Sequence, residues 1–225
     1  MSEPVGRPGG ERNPHSEPPG RPGGERERRR NPRGQGDRLR EDIVTAASAM
    51  LADPAAPPLT LRGVARAVGV AATSVYLHFD DVESLVIEVA RRGFGALRAA
   101  QETAMEGVPG PCERLRAGLL AYCEWAQANP GHYQWMFANP LRISASTWDE
   151  LPGQPLFAAL VASVADCLGR PAADPESART ARLLWHLLHG MISLRIARPF
   201  LPWPSVPETV DEAITRLVSP VRAPG

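Results

Sequence analysis

The sequence contains no lysine: all 25 of its basic side chains are arginine, and they stand against 25 acidic side chains. The formal net charge is therefore zero, and an overall excess of positive charge does not indicate a polyanionic partner. The distribution is uneven, however, because ten of the arginines fall within the first forty positions. They form a local basic segment that the average conceals.

Long apolar runs and abundant cysteine are absent too. No run approaches the roughly eighteen residues of a membrane span, and the opening MSEPVGRPGG lacks the apolar core of a secretory signal. The three cysteines, Cys112, Cys123 and Cys167, are few, odd in number and scattered. We therefore expect reduced thiols rather than a disulfide framework, in a cytoplasmic protein that does not contact a membrane. No cofactor is expected.

The first 36 residues are rich in proline, glycine and charge. They contain a direct repeat, in which SEPVGRPGGER from Ser2 returns as SEPPGRPGGER from Ser16. The segment is almost without apolar side chains, so burial cannot offset the entropy of ordering it. We expect residues 1–36 to be a disordered tail rich in arginine, proline and glycine.

From Asp37 onward the apolar residues follow the helical period of 3.6, and no alternating strand pattern competes. Prolines mark several of the starts and ends. The predicted helices cover 37–52, 61–68, about 71–78, 81–105, 111–128, 130–138, 155–168, 175–196 and 206–218. The protein is therefore predicted to be all-α.

The short helix that starts at Leu61 and its successor carry the pattern of a helix-turn-helix. Gly69 stands at the turn, where a left-handed backbone conformation is needed. An ordinary helical hairpin is the alternative. The apolar and small positions that would form the miniature core of the motif are Val64, Ala65, Val68, Val70 and Val75.

The exposed residues of the second helix decide between these two interpretations. In a DNA-binding motif its N-terminal residues reach base edges in the major groove, and here they supply hydroxyl and methyl contacts without a bidentate pairing. Thr60 offers a hydroxyl and nearby free backbone N–H groups to a phosphate. Tyr76 and His78 are placed to donate to phosphates as well. The predicted DNA-binding residues are Thr60, Arg62, Ala71, Ala72, Thr73, Ser74, Tyr76, Leu77 and His78.

The stretch LTLRGVARAVGVAATSVYLHFDDVESL resembles the N-terminal domain of the tetracycline-repressor-like family of transcription regulators. Further on, ANPGHYQWMF and WHLLHGMISL are similar to the ligand-binding region of the subgroup named for its Trp-His-Gly motif. The residues that carry the first match are Thr60, Val64, Ala65, Gly69, Val70, Ser74, Tyr76, His78, Phe79 and Leu85. The resemblance implies a homodimeric repressor that binds a palindromic operator in double-stranded DNA and is released by a small-molecule effector.

We therefore predict three segments: the tail over 1–36, a three-helix DNA-binding domain over 37–84, and a helical ligand-binding and dimerisation domain over 85–225. A long helix joins the last two. In the latter domain, an apolar cavity between helices is a common kind of ligand site, although core packing explains many of its aromatic residues. The predicted effector contacts are Phe94, Tyr122, Trp125, Phe137, Trp185 and His189.

Two positions depart from the family pattern. The family commonly opens its recognition helix with serine, where this chain has Ala71, and places lysine at the start of the fourth helix, where this chain has Val82. From Asp37 to Val82 four arginines stand against six acids, a net charge of −2. We hypothesise that the arginines of the segment from Glu25 to Arg33 supply the missing charge, tracking phosphates or entering the adjacent minor groove. A solvated tail with no role is the alternative.

The helices over 155–168 and 175–196 are long and carry more apolar surface than one monomer buries. They predict a homodimer through a four-helix bundle. His186 and His189 lie three residues apart, but without a third ligand no metal site is expected. Two other functions stay open: a dimeric small-molecule sensor with weakened DNA binding, and a helical enzyme that uses His186 or His189. The enzyme interpretation lacks a set of nucleophile, base and orienting group.

Overall fold

The structure, a computed structural model, describes residues 35–53, 55–138 and 151–218. Within these ranges the chain is helical and contains no strand, which confirms the all-α prediction. Residues from Gly34 onward belong to one compact unit. The helices are α1 (Gln35–Ala52), α2 (Leu61–Val68), α3 (Ala72–Tyr76), α4 (Val82–Met105), α5 (Pro111–Ala128), α6 (Pro130–Ala138), α7 (Gln154–Leu168), α8 (Pro175–Ala197) and α9 (Val206–Leu217).

The helix bounds agree with the predicted ones to within two residues at each end. The first helix begins at Gln35, so the last two positions of the predicted tail are helical, and the rest of that tail lies outside the described residues. Helix α3, the predicted recognition helix, ends at Tyr76 rather than at His78. Its last turn closes on Val75, whose carbonyl accepts from the N–H groups of His78 and Phe79 at 2.9 and 3.0 Å.

Local capping signals explain why the short helices start and stop where they do. The Thr60 hydroxyl accepts from the Gly63 N–H at 3.0 Å, and the Asp81 carboxylate accepts from the Ser84 N–H at 2.7 Å. Gly69 ends α2 with φ of +78°, a conformation that a Cβ disfavours. These interactions fix both ends of α2 and the start of α4, as the sequence predicts.

The head, which we define as α1, α2, α3 and the first part of α4, has its own hydrophobic core. Ile43, Val64 and Val75 are fully buried at its centre. Trp135 and Met136 of α6 also belong to this core, although they are distant in sequence. The second core is built mainly from α5, α7, α8 and α9, the helices that we call the body, and it also contains Leu97 of α4 and Tyr133 of α6.

Helix α6 packs closely on α1 of the head. The side chains of Ser48 and His132 form a hydrogen bond with 2.9 Å between Oγ and Nε2. At Gly131 a Cβ would collide with the carbonyl oxygen of Ala52, so only glycine permits this approach. The head is therefore held against the body through α6 as well as through the long helix α4.

The expectation of three reduced thiols is wrong, because Cys112 and Cys167 form a disulfide. The fold brings the start of α5 beside the end of α7, with 4.6 Å between the two Cα atoms across 55 residues of sequence. This pairing depends on the packing of α5 on α7, which no spacing in the sequence reveals. Cys123 remains a free, buried thiol, and burial raises its pKa to about 12.

None of the helices described is long and apolar enough to cross a membrane.

Candidate DNA-binding head and ligand cavity

Helix α3, the predicted recognition helix, presents side chains to solvent on the face opposite the buried Val75. Val75 is fully buried, whereas Leu77 is 84% exposed and Tyr76 is 49% exposed. Thr73 is exposed as well. Exposed large apolar and aromatic side chains beside a hydroxyl are suited to contact thymine methyl groups and base edges or phosphates.

The start of α2 offers a possible phosphate position. The Thr60 oxygen already accepts from Gly63, which leaves its proton free to be donated. The N–H groups of Leu61 and Arg62 belong to the first turn, where an α-helix has no internal partners for them. Arg62 is exposed beside them. At α3, by contrast, Ala71 caps the helix without a side-chain hydrogen bond, as the sequence predicts.

His78 lies at the end of the recognition-helix region, beside the start of α1. Its Cε1 atom is 3.9 Å from the point where a Cβ of Gly36 would stand. The side chain is half-buried. The first residues of α1 therefore lie on the same side of the head as the residue predicted to donate to a phosphate.

The start of α4 carries negative rather than positive charge. Val82, where the family pattern has lysine, is half-buried and packs against the head core. Asp80 and Asp81 are exposed before it, and the Asp81 carboxylate caps the helix. Acidic side chains stabilise this end of the helix through its dipole, but they repel DNA phosphates.

A cavity of about 270 Å³ opens between α4, α5, α6, α7 and α8. Its walls are mainly apolar, as is usual for small-molecule sites. The residues that line it are Phe94, Gln101, Leu119, Tyr122, Met136, Phe137, Leu151, Pro152, Gly153, Gln154, Leu156, Phe157, Leu160, Trp185 and Leu188. Four of the six predicted effector contacts are therefore brought together here, namely Phe94, Tyr122, Phe137 and Trp185.

The body matches a known domain. Residues 115–220 match the model of the tetracyclin repressor-like C-terminal domain. Over these residues, slightly less than half of the chain, the protein is similar to the C-terminal domain of tetracyclin repressor-like proteins. Transcription regulators are among the solved structures that share the fold of this chain. The closer Trp-His-Gly subgroup stays a prediction.

Solved structures share the fold along most of the chain. A protein of unknown function from Rhodococcus sp. RHA1 is 25% identical, with a TM-score of 0.66 over 86% of this chain and 97% of its own. The regulator PfmR from Thermus thermophilus is 20% identical, with a TM-score of 0.57 over 80% and 99%. The fatty acid degradation regulator FadR from Bacillus halodurans is 14% identical, with a TM-score of 0.61 over 85% and 99%.

The other two predicted effector contacts lie outside the cavity lining. Trp125 packs between the head and body cores. His189 stands behind the wall, with its ring centroid 4.8 Å from that of Phe137. Burial and the neighbouring His186 lower the pKa of His189.

A chain of hydrogen bonds runs from the cavity wall to α8. The hydroxyl of Tyr122 lies 2.7 Å from the hydroxyl of Tyr133, which lies 2.7 Å from Nδ1 of His189. Burial raises the pKa of both tyrosines, so they stay neutral and can donate and accept along the chain. The Nδ1 atom of His189 is therefore already engaged in a hydrogen bond with Tyr133. In the described part of the chain, no group of three or more His, Cys, Asp or Glu residues could hold a metal ion.

The sequence interpretation missed the contribution of α7 to the cavity. Leu156, Phe157 and Leu160 line it from that helix, whereas the apolar pattern of α7 predicts dimerisation alone. The signal was present, because α7 is apolar on more than one face and so can line a cavity and meet a partner at once. Gln101 and Gln154 add polar side chains to the lining.

Proposed function

We propose that the chain is a ligand-responsive repressor, which binds a palindromic operator as a homodimer and is released by a small apolar effector. The main support for this proposal is the position of the cavity.

Helix α6 connects the cavity with the head. Met136 and Phe137 of the cavity wall lie on α6, and the same helix contacts Ser48 of the head. An effector that favours one position of α6 would thereby favour one arrangement of the head. DNA and effector affinities are then coupled reciprocally. An apolar effector is also supported by the similar fold of FadR, which is a regulator of fatty acid degradation.

The decisive experiment is DNA binding. We expect the purified protein to prefer DNA from upstream of its own gene over random DNA, with an affinity that falls as salt rises. The alternative, a dimeric sensor with weakened DNA binding, is favoured by the acidic start of α4, where Val82 replaces the lysine of the family pattern. Fluorescence anisotropy that finds no preference for upstream DNA would support the sensor and contradict the repressor.

Replacement of Thr73 by alanine tests the role of the recognition helix. Loss of one hydroxyl hydrogen bond to a base edge is expected to weaken operator binding roughly 3- to 10-fold and to leave binding to random DNA unchanged. Thr45→Ala is the matched control, because Thr45 is an exposed threonine on α1. Equal affinities for the two variants would exclude Thr73 from base contact.

A second copy of the chain is the proposed partner of α8. Leu183, Leu187 and Leu194 lie on one face of this helix and are 44%, 38% and 53% exposed. Ala158 and Ala162 form an exposed small-residue stripe on α7, which packs on α8. In a homodimer, α7 and α8 of the two copies would form a four-helix bundle that buries the leucine face and the alanine stripe of each copy. The two heads would then be positioned to bind the two halves of a palindromic operator.

Leu187→Glu is expected to convert a dimer into a monomer, because two carboxylates would be buried at the two-fold interface. Light scattering after size-exclusion chromatography measures the mass. Leu201→Glu is the control, because Leu201 is similarly exposed, at 42%, but follows α8 in the chain. A wild-type monomer, or a Leu187→Glu dimer of unchanged mass, would show that this face is not the interface.

Filling the cavity tests the ligand site. The neutral apolar fluorophore N-phenyl-1-naphthylamine is expected to bind the wild type, and Leu160→Trp is expected to weaken this binding at least about 10-fold by occupying the space. Gln127→Trp adds the same ring at an exposed position of α5 and should bind like the wild type. If both variants bind equally, the fluorophore site lies elsewhere.

A further inference from the structure

The cavity between α4, α5, α6, α7 and α8 has an uncharged wall. Within the described ranges, no side chain that lines it carries a charge. An ionised carboxylate or ammonium loses its hydration on entering such a space, and this is costly unless a partner of opposite charge is present. The volume of about 270 Å³ lies just below the range of about 300–1,000 Å³ that is typical of small-molecule pockets. The cavity therefore favours a small ligand without a charge.

Two arginines stand near the cavity without lining it. Arg98 borders a smaller recess of about 80 Å³, which adjoins the cavity at Gln101. The guanidinium of Arg98 is bound to Glu102 at 2.7 Å, so a carboxylate placed beside Arg98 would also meet the carboxylate of Glu102. Arg182 is exposed and lies 5.9 Å from the ring centroid of Phe157. Neither arginine places a charge in the cavity wall.

The hydroxyl of Tyr122 in the wall already has partners. It lies 2.7 Å from the hydroxyl of Tyr133. Burial and Tyr133 raise the pKa of Tyr122, and a hydrogen bond from Trp185 acts in the opposite direction. Burial lowers the pKa of His189 at the far end of the same chain of hydrogen bonds, so the chain carries no charge at neutral pH. These polar groups satisfy one another and leave the wall neutral.

The amide of Gln101 is fixed in position and keeps part of its hydrogen-bonding capacity. Its Nε2 atom donates to the carbonyl oxygen of Gly118 at 2.9 Å, and this bond holds the half-buried side chain against α5. A primary amide has two N–H donors and one carbonyl oxygen with two lone pairs. The bond to Gly118 uses one donor, and the second donor and Oε1 take no part in it. An amide that is already oriented costs a ligand little further ordering.

We propose that the cavity binds an uncharged molecule whose apolar body carries one hydroxyl or carbonyl group, and that Gln101 binds this group. The inference rests on the proposed ligand-responsive function and names the class of effector for the same cavity. A hydroxyl can donate to Oε1 of Gln101, and a carbonyl oxygen can accept from Nε2. The rest of the ligand is bound by the apolar wall.

Three ligands of one chain length test the preference for an uncharged molecule. Octan-1-ol, octanoate and octylammonium are each used to displace N-phenyl-1-naphthylamine from the wild type at neutral pH. We expect octan-1-ol to bind at least about 10-fold more tightly than either ion, because neither ion finds an opposite charge in the wall. Binding of either ion as tightly as octan-1-ol would overturn the proposal.

Gln101→Met tests the hydrogen bond to the ligand, because methionine is also unbranched but has no amide. It is expected to weaken binding of octan-1-ol about 3- to 10-fold and to leave binding of 1-fluorooctane, which lacks the hydroxyl, unchanged. Gln154→Met is the matched control, because it removes a second amide from the lining, and it should bind both ligands like the wild type. Gln101→Leu gives the same comparison if the methionine variant does not fold. Equal losses for the two ligands, or a loss in Gln154→Met alone, would exclude Gln101 as the binding group.

DNA binding separates a failure of this inference from a failure of the proposed function, because the displacement assays contain no DNA. If Gln101 selects octan-1-ol but the protein does not bind upstream DNA, the proposed repressor is wrong and the class of ligand is supported. If upstream DNA is bound and is released by octanoate rather than by octan-1-ol, the repressor is supported and this inference is wrong. A wild type that does not bind N-phenyl-1-naphthylamine would contradict the ligand site on which both depend.

Discussion

Reduction of the disulfide between Cys112 and Cys167 is expected to lower the free energy of unfolding by about 2–4 kcal/mol. The bridge closes a loop of 55 residues, and the restriction of the unfolded chain is worth about 4 kcal/mol for a loop of this length in the chain-entropy model. It also ties α5 to α7, two helices of the body. Urea unfolding with and without a phosphine reductant measures the difference.

The control is the double variant Cys112→Ser/Cys167→Ser, whose unfolding should not respond to the reductant. Counting thiols in the unfolded protein provides an independent check. Without reductant only Cys123 should react, because it is the free cysteine. With reductant all three cysteines should react. Three reactive thiols before reduction, or identical urea midpoints in both conditions, would contradict this prediction.

Glu88→Gln is expected to destabilise the protein by about 2 kcal/mol at neutral pH, because Glu88 joins α1 to α4. Its carboxylate accepts from Arg40 at 3.1 Å and from Arg92 at 2.9 Å, and Arg91 lies at 3.2 Å. Arg92 also binds Glu41 of α1. The Glu88 side chain is only 15% exposed, so its removal leaves half-buried cations without their partner.

Acid should have the same effect. Burial alone would raise the pKa of Glu88, but the hydrogen bonds from Arg40 and Arg92 outweigh it and lower the pKa to about 2. The stabilisation is therefore complete above about pH 4.5, the value for an unperturbed glutamate, and is lost as pH falls towards 2.

Urea unfolding between pH 7 and 2.5 tests this dependence. The stability difference between wild type and Glu88→Gln should narrow across that interval. Glu102→Gln is the matched control, since Glu102 pairs with Arg98 at the surface, where the two side chains are 56% and 48% exposed. It should cost less than about 0.5 kcal/mol. If Glu102→Gln lost as much stability as Glu88→Gln, both losses would result from the change in net charge rather than from the contacts of Glu88.

The parts of the fold that were predictable from the sequence depend on neighbours in the chain. Thr60, Gly69 and Asp81 mark helix ends by hydrogen bonds or backbone conformations that span only a few residues. The helical period of the apolar residues similarly predicts every helix of the described ranges. Such signals need no knowledge of the tertiary packing.

The errors arise where distant segments meet. Nothing in the local sequence indicates that Cys112 and Cys167 pair, because the two residues are brought together only by the packing of α5 on α7. The spacing of apolar residues shows that α7 has an apolar surface. It does not show which of these residues line a cavity and which contact a partner. Phe94, Tyr122, Phe137 and Trp185 were predicted to contact an effector because they are aromatic residues of the predicted ligand-binding domain, and their convergence on one cavity depends on four helices. That they bind an effector stays a prediction.

The packing of α6 on α1 bears on how hybrid regulators could be made. A cut after position 84 follows the boundary that the sequence predicts between a DNA-binding and a ligand-binding segment. It would separate Ser48 from its bond to His132 and would set a foreign helix against the bare backbone of Ala52. Met136 would be replaced in the head core by an unrelated side chain. A transplanted head would therefore need its own α6. In the proposed repressor, operator preference and effector preference would then be inherited together rather than exchanged as separate modules.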